Sequence, residues 1–144
     1  MNHLNSGTII NLQISPQKGS SVSRLPEAEF IRGLGISGDS HAGKSENRQV
    51  LLMDSETQKL FGITPDITRE NVTTKNLQLN NLSEGDLLMI GNSVRIEVTG
   101  DCVPCKNLDQ QKPGLSEAIR GKRGILAKVI DSGFVKLNDK IVRE

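Results

Sequence analysis

Apolar and polar positions alternate along much of the chain with a period of two. Ile10, Leu12 and Ile14 are separated by Asn11 and Gln13, and Val94, Ile96 and Val98 by Arg95 and Glu97. This spacing predicts strands with one buried and one wetted face, because successive side chains of a strand point to opposite sides. The apolar run Leu87-Leu88-Met89-Ile90 precedes the second strand, and Gly91-Asn92 between them predicts a hairpin turn. A second hairpin is expected where Ala127–Ile130 and Phe134–Leu137 flank Asp131-Ser132-Gly133. Ile141-Val142 could close the sheet, and Arg48 to Met53 forms another short apolar strand. Residues 15–30, opening Ser-Pro-Gln-Lys-Gly-Ser-Ser, read as an exposed loop.

Helical signals are few. Asp54 is placed to cap a helix over Ser55–Phe61, with Gly62 placed to end it. Leu115–Arg120, stopped by Gly121, is a second short candidate. Many short strands with two brief helices predict a mainly β single domain over residues 1–144, a closed β-barrel or a sandwich rather than a βαβ layout.

Composition narrows the function classes. The chain has three Phe and neither Tyr nor Trp, so the core must be aliphatic and the stacking platforms of single-stranded nucleic-acid binders are missing. Its net charge of +1 gives no global attraction for a polyanion. No nucleic-acid partner is expected. No apolar run approaches membrane-spanning length, and the first residues carry neither the charged nor the apolar region of a signal peptide. With two cysteines, this predicts free thiols, a cytoplasmic location and no membrane contact.

Four groups of residues could carry chemistry. Cys102-Val103-Pro104-Cys105 follows a predicted strand. It reads as a redox dithiol, as half of a zinc site completed by His3 and His41, or as one reactive thiol beside a cysteine packed in the core. Gly35-Ile36-Ser37-Gly38-Asp39-Ser40-His41-Ala42-Gly43 is a glycine-rich loop. Such a loop can turn amide N–H groups toward an anion, with Gly38 and Asp39 shaping it and His41 as a polar contact or proton shuttle, or it can be a structural turn. In Arg69-Glu70-Asn71 an extended backbone would put Arg69 and Asn71 on one side, suited to a phosphate or a pterin edge, and Glu70 on the other. Arg120-Gly121-Lys122-Arg123 is a basic turn, either a small-anion site or a solvated one.

Taken in order, Gly38-Asp39-x-His41-x-Gly43, Arg48-Gln49-Val50, Arg69-Glu70-Asn71, Gly85-Asp86, Ile90-Gly91 and Pro104-Cys105 resemble the MOSC domain, named for the C-terminal part of molybdenum cofactor sulfurase. The resemblance runs from about Gly33 to the C-terminus. It implies a closed β-barrel related to the one inserted in pyruvate kinase, and the molybdenum cofactor (molybdopterin) as ligand. Cys105 would be a catalytic sulfur carrier or a thiolate ligand to molybdenum, with His41 beside it. Arg69 and Asn71 match a cofactor-contacting Arg-x-Asn pair, and Asp39, Gly38, Lys106 and Arg123 would complete the cofactor cradle. Partners implied are a cysteine desulfurase or a molybdoenzyme, and pyridoxal phosphate binding is associated with the family as a whole. Val103 stands where many relatives have Arg or Thr, and Asn138-Asp139 where they often show a second Gly-Asp. The separate N-terminal barrel of amidoxime-reducing relatives has no counterpart in these residues. A metal-free dithiol protein using Cys102 and Cys105, and a non-catalytic adaptor that hands the cofactor on, are the alternative functions.

Overall fold

The computed structural model describes residues 5–144; His3 lies outside them. The first strand, β1 (Ser6–Ile14), is followed by a two-residue strand β2 (Ser23–Arg24), by β3 (Glu27–Ile31) and β4 (Gly35–Ile36), and by β5 (Val50–Asp54). Two short helices, α1 (Ser55–Phe61) and α2 (Pro65–Thr68), lead to β6 (Val72–Lys75). Strands β7 (Leu87–Ile90) and β8 (Val94–Asp101) form the predicted hairpin. Helices α3 (Leu108–Gln111) and α4 (Leu115–Ala118) then precede β9 (Ile125–Asp131), β10 (Gly133–Lys136) and β11 (Lys140–Arg143).

Seven strands close on themselves in the order β1-β11-β7-β8-β9-β5-β6, with β6 returning to β1 and β2 added beside β1. A ring with an odd number of strands cannot alternate direction all the way round, so one pair must be parallel. That pair is β5–β6. Parallel neighbours need a crossover, and the segment holding α1 and α2 supplies it. Ile141, fully buried, pairs with both Gly7 and Ile90 and so closes the ring as expected. Closure removes the open edges that a β-rich chain otherwise exposes.

The barrel interior is aliphatic, filled by side chains such as Ile9, Leu12, Leu52, Val72, Leu88, Ile90 and Ile96. A smaller cluster outside it joins Met53 of β5 to Ile63, Leu108, Leu115 and Ile119, so the short helices share an apolar seat of their own. The α1 caps match expectation: the Asp54 carboxylate accepts the Thr57 N–H at 3.0 Å, and Gly62 closes the helix at φ 65°. Strand β8 likewise buries Val94, Ile96 and Val98.

Four sequence expectations are corrected. In β1 the buried aliphatic residues are Ile9 and Leu12 while Ile10 is exposed, because a bulge between Ile9 and Asn11 shifts the phase of the strand against β6. The segment 125–136 is no hairpin: β9 pairs with β8 and β5, whereas β10 leaves the barrel and pairs with β3 in a separate sheet with β4. Residues 27–30, expected within an exposed loop, belong to β3, which buries Ala28 and Phe30 under that sheet. Helix α4 ends at Ala118, short of Arg120.

Candidate functional site

A cleft of about 460 Å³ is lined by Leu51 of β5 and by residues that follow β1 and β8 and precede β6 and β9. Both cysteines line it, with Lys18, His41, Arg48, Arg69 and Arg123. Asp66 is the single acidic side chain of the lining, and it faces Arg24 at 3.7 Å. The lining is therefore strongly cationic although the chain as a whole is nearly neutral. A cleft of this size accommodates a cofactor or a small anionic ligand.

The cysteine loop leaves β8 just beyond a bulge near Thr99, whose hydroxyl is tied to the Asn47 carbonyl. The Cys102 N–H donates to the Gly124 carbonyl at 2.9 Å, pinning the loop against the start of β9. Cys102 is buried and Cys105 exposed, and both thiols are free. Cys102 is buried, belongs to neither apolar cluster and borders the cleft. The Asn107 N–H approaches the Cys105 sulfur at 3.5 Å, and the Leu108 N–H donates to the Cys105 carbonyl at 3.0 Å. Thiol and backbone are thus held where α3 begins.

Arg123 enters the cleft from the β9 side. Gly124, at φ 117°, lets the chain pass so close to β5 that a Cβ there would collide with the Leu52 carbonyl oxygen. Arg123 is 8% exposed, and its guanidinium donates from Nη2 to the Thr68 carbonyl at 2.6 Å. Its Nε and Nη1 have no partner among the described residues. Buried donors left unpaired cost free energy.

Arg69 stands in the left-handed region at φ 60°, ending α2. Its Nη2 donates to the Ser15 hydroxyl and to the Ser20 carbonyl, fastening the loop after β1 to the cleft. Behind Arg69, Glu70 is fully buried and accepts from Gln58, Thr68 and Thr73. Burial raises its carboxyl above the usual glutamate range against the opposing pull of those hydrogen bonds.

His41 reaches the cleft from the glycine-rich loop. Its Nδ1 lies 3.1 Å from the buried Asp39 carboxylate, which also accepts the Ser15 and His41 backbone N–H groups. Burial pushes the Asp39 carboxyl up, but the hydrogen bonds from His41 and Ser15 outweigh it and hold the group below the usual carboxylate range. An ionised Asp39 fixes both the loop and the imidazole, whose side chain stays 60% exposed.

A MOSC domain family model matches residues 41–142, most of the chain. The chain belongs to the MOSC family. No curated protein matches it. The fold of this MOSC domain is similar to that of the YuaD protein from Bacillus subtilis, with TM-score 0.81 at 22% identity over 94% of each chain. It also resembles YiiM from Escherichia coli, with TM-score 0.73 at 20% identity, covering 96% of this chain and 69% of that one. YiiM from Geobacillus stearothermophilus gives TM-score 0.68 at 18% identity over 96% and 73%. MOSC domains are associated with molybdenum cofactor binding and sulfur-related functions.

Of the residues singled out by sequence, this MOSC domain brings Cys105, His41, Arg69 and Arg123 to one cleft, with Cys102 beside them. Asp39 stands behind His41. Two expectations are corrected. Asn71 does not share a strand face with Arg69: Arg69 ends a helix, and the Asn71 carboxamide is spent bridging the Leu51 N–H and the Gln13 carbonyl. Glu70 lies outside the cleft lining, buried in the crossover. Gly38 and Lys106 stand outside the cleft lining; Gly38 turns the loop against Ile14, and the charge of Lys106 acts on Asp109. Among the described residues no His, Cys, Asp or Glu group of three or more could hold a metal ion, so the zinc reading gains no support. Sequence reasoning missed Ser15 and Lys18 after β1 and Thr68 at the end of α2, and it left Arg48 without a role.

A larger cleft, about 810 Å³, opens elsewhere between Ser6–Thr8, Asp54, Glu56, the segment 76–81 and Lys140. It holds no cysteine or histidine, and its two carboxylates already cap α1 and accept the Asn76 N–H. Size alone does not make it the site. No described helix is long and apolar enough to cross a membrane.

Proposed function

We propose that the cationic cleft binds the phosphorylated pterin of the molybdenum cofactor and that Cys105 is the working sulfur at its mouth. The observation that carries this reading is the pairing of an exposed thiol with a buried, under-partnered guanidinium in one cleft. The fit is chemical. Molybdenum favours a soft thiolate, and an anionic phosphate favours Arg side chains with free N–H groups. Arg123 offers two such donors, while Arg48 and Lys18 add positive charge around it. Arg69 holds the Ser15–Ser20 loop as one wall.

When bound, the cofactor supplies the two-electron redox chemistry of molybdenum; the protein's own part is to hold, orient and shield. His41, fixed by Asp39, stands within the same cleft to move a proton or to donate a hydrogen bond. A second reading is favoured by the exposure of Cys105, which suits exchange with another protein. In it the Cys105 thiolate attacks the terminal sulfur of a donor persulfide. Cys105 becomes the persulfide, and the donor leaves as a thiol. Both readings place the chain in molybdenum cofactor metabolism, with a cysteine desulfurase or a molybdoenzyme as partner.

The test is purification from a host able to make the cofactor, followed by molybdenum and pterin analysis and by mass spectrometry of Cys105. Pterin retained by the wild type and lost by Arg123→Met, with molybdenum or bound sulfur lost by Cys105→Ser, is the expected result. Folded wild-type protein that carries neither pterin nor persulfide would overturn the proposal.

A further inference from the structure

Cys102 has no task in the chemistry described so far, yet its placement is specific. It is 6% exposed, stands apart from both apolar clusters, and borders the cleft that Cys105 opens onto. Its backbone is fixed by the Gly124 carbonyl, one residue from the under-partnered Arg123. Two residues separate it from Cys105, in a segment outside helix and strand, and neither thiol is bonded. A thiol with this address lines the same cleft as its neighbour and is the less exposed of the two, the placement suited to attack on the inner sulfur of a persulfide carried by Cys105.

We infer that Cys102 is a resolving thiol, which discharges a sulfur carried on Cys105 by forming a disulfide with it. This rests on the sulfur-carrying reading of Cys105. The Cys102 thiolate attacks the Cys105 Sγ of the persulfide, the bond between Sγ and the outer sulfur breaks, and the outer sulfur leaves as hydrosulfide. The two electrons that reduce the outer sulfur come from the two cysteines, which end as the Cys102–Cys105 disulfide. The thiol proton of Cys102 leaves with solvent or with the hydrosulfide. The cycle restarts when an external dithiol reduces that disulfide. Such exchange proceeds by thiolate attack in line with the sulfur–sulfur bond. The cationic lining, Arg123 foremost, favours the anions that form and depart. The exposed sulfur receives and the buried one releases, which divides the labour between two thiols of different accessibility.

The experiment loads reduced protein with inorganic polysulfide, removes excess, and follows sulfide release and intact mass with no thiol added. Wild type is expected to gain one sulfur on Cys105, then to release sulfide and end lighter than the reduced protein by two hydrogens, with the new disulfide mapped by peptide analysis. Cys102→Ser and Cys102→Ala are expected to load Cys105 equally and to keep the persulfide, with release lowered about tenfold or more because no internal thiol remains. Loading in these variants also shows that they are folded. Equal release from both, or wild-type release without a disulfide, would overturn the resolving role while leaving Cys105 as carrier. Failure of Cys105 to load in any of the proteins would instead bring down the carrier reading and this inference with it.

Discussion

At the scale of single residues, Arg123 shows how a site is held in a state that is poor for stability and good for binding. One of its donors is paired with the Thr68 carbonyl and two are not, in a side chain that is almost wholly buried. Replacing it by Met removes one hydrogen bond and two unpaired donors at similar volume. Arg123→Met is therefore expected to leave the ligand-free protein as stable as wild type or more so, since a hydrogen bond contributes about 1 kcal/mol and an orphaned donor costs a comparable amount. Affinity for the cofactor should fall by roughly tenfold to a hundredfold, the equivalent of one charge-assisted hydrogen bond. Urea unfolding and a cofactor titration on the same samples check the two halves. A variant that lost stability and kept its affinity would make Arg123 a structural residue.

At the scale of elements, the crossover between the parallel strands β5 and β6 is organised by one carboxyl. Glu70 takes hydrogen bonds from Gln58 of α1, Thr68 of α2 and Thr73 of β6, and Thr68 in turn holds Arg123. Because burial raises its carboxyl, the folded protein binds this proton more tightly than the unfolded chain does. Its contribution to stability is full below the ordinary glutamate value of 4.5 and is lost as pH rises through the elevated folded value. Glu70→Gln has no such proton. The stability advantage of wild type over Glu70→Gln is expected to shrink, or reverse, as pH climbs from below 4.5 to neutrality, read from urea unfolding at stepped pH. A difference constant across that range would show that Glu70 titrates normally.

For the whole molecule the decisive event is closure by β11. Ile141 is fully buried between β1 and β7, and its neighbour Val142 is 38% exposed. Truncating a buried Ile to Ala typically costs about 2–5 kcal/mol, whereas a surface substitution stays within about 0.5 kcal/mol. Ile141→Ala should therefore lower the denaturation midpoint sharply and Val142→Ala hardly at all. Similar losses in the two variants would mean that the C-terminal strand does not seal the barrel in solution. Within the ring β1, β6, β5, β9 and β8 stand side by side, so that residues from distant parts of the sequence meet in one cleft.

What the sequence determined by itself is what short-range physics controls. Strand β8, the β7–β8 hairpin, both caps of α1 and the sealing strand at Ile141 were legible because alternation, turn residues and capping residues act within a few positions. The order of small motifs around Arg69, Pro104 and Cys105 gave the family and hence the barrel. Features that depend on which strand lies next to which were not legible. The bulge that turns Ile10 outward, the departure of β10 from β9 to join β3, and the burial of Glu70 exist only once the ring has closed. The same holds within the site. Arg69 and Asn71 are separated by a single residue, yet a helix end and a strand start divide them, one facing the cleft and the other bridging backbones. Arg123 reads as part of an exposed basic turn until Gly124 passes close to Leu52 and carries it inward. Local pattern reports the chemistry that a residue can do; long-range packing decides whether its side chain meets water, backbone or ligand.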